Sequence, residues 1–285
     1  MTKLAVIGPG LLGGSIALAA RRAGGFHVSV WARRAEAAEE VRAARFADHA
    51  TTDLQAVAED ADLAVLCVPV GAMPALAREL ARSLPKGAVI TDVGSVKRTV
   101  VHELEEIFKD NGRFVGSHPM AGSEQTGLSA AKADLFDNAV CIVTPGPNSE
   151  EDHVAVVSRF WEMLGCRVRR LSPEAHDEIV AQISHFPHLL AALLVRSVEA
   201  QNTPAFDYAG PGFRDTTRIA AGPPEMWAEI LRANAGAVKK STEAMIEKLR
   251  EALTLLDRLA KGDSTQMIEL LSQAKIRRDS LKLPE

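Results

Sequence analysis

The chain has 285 residues, 47% hydrophobic and 25% charged, with a formal net charge of −4 at pH 7. That is apolar material for one large domain or two ordinary ones, and the balance offers no electrostatic footprint for nucleic acid or an anionic membrane surface. Cys67, Cys141 and Cys166 are far apart, odd in number and without the paired spacing of a zinc site, which fits buried thiols in a reducing cytoplasm.

The N-terminal stretch is apolar enough to imitate a signal peptide, but glycines and Pro9 interrupt it. No run there approaches the roughly 20 apolar residues of a membrane span, so a cytoplasmic protein without membrane partners is expected. "KLAVIG" predicts a strand and "GGSIALAARRAG" a helix; "HVSVWA" and "AEAAEEVRAAR" repeat the pair. "LAVLCVPV", "AVITDVGS", "RFVGSHP" and "NAVCIVTP" are further strands, with helices around "AMPALARELARSL", "VKRTVVHELEEIFKD" and "EEDHVAVVSRFWEMLG", and "CRVRRL" closes the series. Continuous apolar strands alternating with amphipathic helices indicate parallel βαβ units buried on both faces.

The pattern changes at Ser172, a good N-cap followed by Pro173 at the first helical position and by Glu174, which favours the positive helix start. A long apolar helix, "HDEIVAQISHFPHLLAALLVRSVEA", comes next, in which Pro187 should kink or distort the backbone. After a Gly/Pro-rich break the rest is helical, with apolar stripes that suit a core or a dimer interface. The expectation is an α/β class chain: a Rossmann-type dinucleotide-binding domain over residues 1–171 and an all-helical domain over 172–285.

"GPGLLG" places Gly8, Gly10 and Gly13 in the G-x-G-x-x-G pattern between a strand and a helix, the context that gives this motif meaning. Gly8 makes the tight turn, Gly10 admits a pyrophosphate, and Gly13 lets helix and strand pack closely. Leu11 and Leu12 open the helix, and Val68, Pro69, Gly94 and Ser95 at later strand ends complete the expected cofactor contacts. No acid follows the second strand to bond a ribose hydroxyl; Arg33 and Arg34 stand there instead, which favours NADP over NAD through pairing with a 2′-phosphate.

Ligands of an open parallel sheet bind beyond the carboxyl ends of its strands, so Ser95 and His118 both emerge on the nicotinamide side. There His118 is either a general base or a loop histidine. A Ser/His hydrolase is disfavoured because the G-x-S-x-G elbow is absent. In the helical part His185 and His188 share a helix face. No third ligand accompanies them, so no metal is expected. Arg218, among Thr217, Ile219 and Ala220, suits an arginine that holds a carboxylate.

Together "GLLGGS", "DVGSVK", "GSHPMAGSE", "SPEAHD", "ISHFPH" and "GFRDTTRIA", in this order over residues 10 to 275, resemble the prephenate/arogenate dehydrogenase family of tyrosine biosynthesis. The resemblance implies a Rossmann domain followed by a helical dimerisation domain, a homodimer, and oxidative decarboxylation of prephenate, with arogenate as the alternative substrate. It implies that His118 is catalytic, that Ser95 bonds it or the substrate hydroxyl, and that Arg218 binds a substrate carboxylate. His188 with His185, Glu124 with Ser123 at the cleft mouth, and Trp227, reaching a neighbouring subunit's site, complete the implied substrate contacts. It also leaves room for tyrosine to compete at the active site. Pro211 departs from a glycine-rich stretch of the family, and the missing acid after strand two departs from its NAD preference. Two competing readings are a hydroxyacid dehydrogenase or imine reductase and a non-catalytic dinucleotide-sensing regulator. The first commonly needs a lysine on the helical domain, and no lysine lies between Lys132 and Lys239.

Overall fold

A computed structural model of the chain describes residues 1–109, 113–122 and 125–281. Eight strands, β1 (Thr2–Ile7), β2 (Phe26–Trp31), β3 (His49–Thr51), β4 (Leu63–Leu66), β5 (Val89–Asp92), β6 (Gly116–Pro119), β7 (Val140–Thr144) and β8 (Arg167–Arg170), lie in the first part. Between them run α1 (Leu11–Ala23), α2 (Ala35–Ala43), α3 (Leu54–Ala58), α4 (Met73–Ser83), α5 (Arg98–Ile107) and α6 (Glu151–Met163).

The first five strands form a parallel sheet ordered β3-β2-β1-β4-β5. Side chains alternate across it: Leu4 and Val6 enter one core, Ala5 and Ile7 the other. Both faces are thereby covered, which explains why these strands read as unbroken apolar runs. β3 and α3 escape the sequence reading because His-Ala-Thr is too short to carry a pattern; α3 is begun by Asp53, whose carboxylate accepts the N–H groups of Gln55 and Ala56.

The expectation of parallel units throughout needs correction. The lead-in to β6 continues the parallel order, with Val115 donating its N–H to Ile90 and Ile90 donating to Arg113. β7 then pairs antiparallel with β6, and β8 parallel with β7. The link from β6 to β7 contains only a short 3₁₀ turn, Leu128–Ala130, among its described residues. Without a crossover helix β7 returns antiparallel, whereas α6 carries β7 into a parallel β8.

The second part is helical: α7 (Pro173–Val180), a π-helical turn (Ala181–His185), α8 (Phe186–Asn202), α9 (Pro211–Thr217), α10 (Pro224–Ala233), α11 (Ala235–Ala260) and α12 (Thr265–Asp279). Ser172 caps α7 as expected, accepting the Ala175 N–H at 3.2 Å, with Pro173 in the first turn. The distortion expected at Pro187 is the π turn just before it, where a proline without an N–H is tolerated because the regular ladder is already interrupted. Pro211 opens α9 at the N-terminal position that suits it.

Leu193, Leu249, Leu253, Leu256, Ile268 and Leu271 of these helices are exposed in the single chain. The helical run Pro173–Tyr208 is long and apolar enough to cross a membrane by length and composition alone. Four of its polar side chains, His176, Asp177, His185 and His188, are nevertheless buried, as in a helix packed into a protein interior.

Candidate functional site

The carboxyl ends of β1, β4, β5 and β6 converge on one edge of the sheet. Gly8 has φ +109°, and an added Cβ would stand 2.6 Å from the Cys67 carbonyl oxygen. A Cβ on Gly13 would come within 1.9 Å of the Gly8 carbonyl oxygen, so only glycine lets α1 start this close to the strand. Gly10, the residue before α1, has open space where a Cβ would be, and no side chain caps the helix and no acid stands in its first turn. The N–H groups of Leu11, Leu12 and Gly13 are therefore free of side-chain partners, a cradle that fits a pyrophosphate. Val68 and Pro69 follow β4, and Gly94 and Ser95 follow β5, on the same rim. Arg33 and Arg34 are exposed where β2 gives way to α2, and neither forms an ion pair among the described residues.

His118 sits in β6 and is 8% exposed. Its Nδ1 lies 2.9 Å from Nε2 of His176, and the Nδ1 of His176 lies 2.9 Å from Oδ1 of Asp177. Asp177 also accepts the backbone N–H groups of Lys97 at 2.7 Å and Arg98 at 3.0 Å. One carboxylate of the helical part thus caps the start of α5 in the Rossmann part. Burial first, then the neighbouring His176, Lys97 and His185, against which a second positive charge would be repelled, hold the His118 pKa well below its ordinary value, so the ring is neutral near pH 7. Burial would raise Asp177, yet the hydrogen bonds from His176, Lys97 and Arg98 outweigh it and keep the carboxyl below its ordinary range.

Beneath His118 lies a buried ion pair. Lys97 Nζ donates to Asp92 Oδ2 at 2.5 Å, and both side chains are fully buried. Asp92 also accepts the N–H groups of Gly94 at 2.7 Å and Ser117 at 3.2 Å. A single carboxylate therefore holds both the loop that carries Ser95 and the strand that carries His118. Trp161 Nε1 and Thr91 Oγ1 meet the Ser117 hydroxyl at 2.9 and 2.8 Å, so these groups find partners.

From the helical side, His185 and His188 do share one face. His188 stacks on Trp227 with ring centroids 3.5 Å apart and planes 11° from parallel, and His185 meets the same indole edge-on at 6.3 Å. Asn234 donates to the Asp177 carbonyl at 2.7 Å and lies 3.1 Å from His185 Nδ1, tying the start of α11 to both. Burial lowers His185 to about 4. Arg218 begins the 3₁₀ turn Arg218–Ala221, which packs on α8 and runs into Gly222. A Cβ on Gly222 would stand 2.5 Å from Trp227 Nε1 and 3.3 Å from His188 Cε1.

One expectation narrows. His118 Nδ1 is engaged by His176, and no hydrogen bond joins Ser95 to His118 among the described residues; a Ser95 contact would have to be made at Nε2 or at the substrate hydroxyl. Trp227 stacks on its own chain's His188. Ser123 and Glu124 lie outside the described residues. His176, Asp177, Asn234, Asp92 and Lys97 were not singled out by the sequence reading, although "SPEAHD" and "DVGSVK" contain four of them. Among the described residues no group of three or more His, Cys, Asp or Glu could hold a metal.

A profile described as the nucleotide-binding domain of prephenate dehydrogenase matches residues 16–170, and one described as its dimerization domain matches residues 172–273. The chain belongs to the prephenate dehydrogenase family. It is 34% identical to cyclohexadienyl dehydrogenase of Zymomonas mobilis, over 98% of this chain and 96% of that one. With prephenate dehydrogenase of Bacillus subtilis it shares 33% identity, covering 97% and 75%. The crystal structure of prephenate dehydrogenase from A. aeolicus, in complex with hydroxyphenyl propionate and NAD+, superposes with a TM-score of 0.91 at 33% identity over 99% of both chains. Likeness to 3-hydroxyisobutyrate dehydrogenase of Mycobacterium tuberculosis, at 15% identity and a TM-score of 0.61, is of fold alone.

Proposed function

We propose that the chain is a prephenate dehydrogenase, converting prephenate to 4-hydroxyphenylpyruvate and CO2 with NAD(P)+ as oxidant. The observation that carries this is His118: a neutral, buried imidazole at a strand end over the expected nicotinamide, with Nδ1 engaged by His176 and Nε2 left for a substrate. The nicotinamide, when bound, accepts the hydride from ring C4. His118 Nε2 takes the C4 hydroxyl proton as that hydride leaves. The C1–CO2 bond then breaks, its electron pair aromatises the ring, and the phenolate oxygen recovers the proton from His118. Such a base contributes about 10²–10⁴-fold. Arg218 holds a substrate carboxylate, His188 and His185 line the ring's other side with Trp227, and Ser95 meets the C4 hydroxyl, fixing the ring for transfer. Gly8, Gly10, Leu11, Leu12 and Gly13 cradle the pyrophosphate, with Val68, Pro69 and Gly94 beside the nicotinamide ribose.

NADP is the favoured cofactor, because Arg33 and Arg34 stand exposed, with no ion-pair partner among the described residues, where a 2′-phosphate would lie. The exposed leucines of α8 and α11 and the match to a dimerization domain support a homodimer through the helical part. A second reading, arogenate as substrate, draws on the likeness to Synechocystis arogenate dehydrogenase, 29% identical with a TM-score of 0.83. Reduction of NAD+ and of NADP+ followed by absorbance with prephenate and with arogenate separates these readings. Turnover of neither substrate with either cofactor would refute both, and tyrosine added to the same assay tests competition at the site.

A further inference from the structure

The hydrogen bonds around His118 have a direction. Asp177, 1% exposed, accepts two backbone N–H groups, and a carboxylate held in this way is ionised and can only accept. The Nδ1 of His176, 2.9 Å from it, must therefore carry a hydrogen. His176 is itself buried and neutral, so its Nε2 bears a lone pair. That lone pair faces His118 Nδ1 at 2.9 Å, which must donate. One tautomer of His118 satisfies the chain: hydrogen on Nδ1, lone pair on Nε2.

We propose that Asp177 is a positioning residue of the reaction: acting through His176, it fixes His118 in the Nδ1–H tautomer and stabilises the imidazolium that forms when Nε2 takes the substrate proton. This rests on the reading of His118 as the base. The carboxylate that sets the tautomer is also the one that caps α5 across the two parts of the fold. The base is thereby correctly protonated only when the helical part is docked. The other charged or titratable groups facing His118 are Lys97 and His185, with the Cys141 thiol against its backbone. Asp92 faces the relay through His176. None of them offers an acceptor to Nδ1 in place of His176.

Asp177→Ala tests the proposal, because it removes the oxygen that accepts from both His176 Nδ1 and the Lys97 N–H. With no acceptor there, His176 is free to carry its hydrogen on Nε2 and donate it to His118 Nδ1, which moves the hydrogen on His118 to Nε2, where a base is needed. Nitrogen-15 histidine spectra of the protein with cofactor should show His118 Nδ1 protonated in the wild type and a mixture of the two tautomers in the variant. kcat should fall about 10²–10⁴-fold with KM for prephenate unchanged. His176→Phe, which leaves the cap on α5 intact, should lose the single tautomer and show a similar fall. It serves if Asp177→Ala does not fold. A wild-type protein with Nε2–H on His118 would overturn the proposal, as would either folded variant retaining wild-type kcat. The spectra are read without turnover, so a protein with the expected tautomer but no activity on prephenate would refute the functional reading and leave this one standing.

Discussion

His188 and Trp227 lie face to face, 3.5 Å between ring centroids, with Gly222 pressed against the edge of both. Gly222→Ala would put a methyl carbon 2.5 Å from Trp227 Nε1, so the stack must shift. Small displacements at positioning groups cost up to about 100-fold. We expect Gly222→Ala to raise KM for prephenate at least tenfold in steady-state kinetics while leaving the cofactor KM unchanged.

Removing the base should leave binding in place. His118→Asn is expected to lower kcat by about 10²–10⁴-fold, with KM for prephenate and cofactor affinity near wild type. Retention of most of the turnover would remove His118 from its role.

The proposal that Arg33 and Arg34 meet a 2′-phosphate is tested by removing them. A hydrogen bond to a charged group is worth about 1.5–3 kcal/mol, so Arg33→Ala with Arg34→Ala should raise KM for NADP roughly 10- to 100-fold. The KM for NAD should barely move. A wild-type preference for NAD would sink this reading of the pair.

Acid should unfold the protein earlier than its carboxylates alone would require. Burial holds His185 at about 4 and lowers His118, His176 and His188 from 6.5. In the unfolded chain these rings protonate first as pH falls through 6.5, whereas the folded ones resist. Stability is therefore whole above that value and declines between it and about 4, at a limit of roughly 1.4 kcal/mol per pH unit per histidine. Urea midpoints should drop from about pH 7 to about pH 5, and His185→Gln should flatten the slope. The same depression keeps His118 neutral, so the acid limb of kcat/KM should lie below pH 6.5.

Lys97→Met isolates the Asp92 carboxylate in a fully buried position. A buried charge left unpaired costs about 3–5 kcal/mol. Denaturant unfolding should show that loss, and because Asp92 also holds the Gly94 and Ser117 N–H groups, kcat should fall with it.

The parallel sheet, the glycine loop and the switch to helices at Ser172 were legible because each is written in local periodicity or in a short motif. His118, Arg218 and the pair His185 and His188 were legible as residue types in suggestive places. The relay was not: Asp177 meets the Lys97 N–H across 80 positions, and no local pattern encodes a partner so distant. The antiparallel turn of β7 was hidden for a different reason. It depends on a link that lacks a helix, and "NAVCIVTP" reads the same in either direction of pairing.

The π turn has a consequence for aim. His176 and His185 are nine positions apart, and at about 3.6 residues per turn that is two and a half turns, which would put them on opposite sides of an uninterrupted helix. The wider turn at Ala181–His185 takes up extra residues without extra rotation. It works as a phase shifter, bringing the second histidine round toward the side that already presents the first. Forcing the regular pitch with every residue kept would swing His185, His188 and all of α8 out of step with the cleft, whereas deleting Gln182 would remove the turn and leave their phase nearly unchanged.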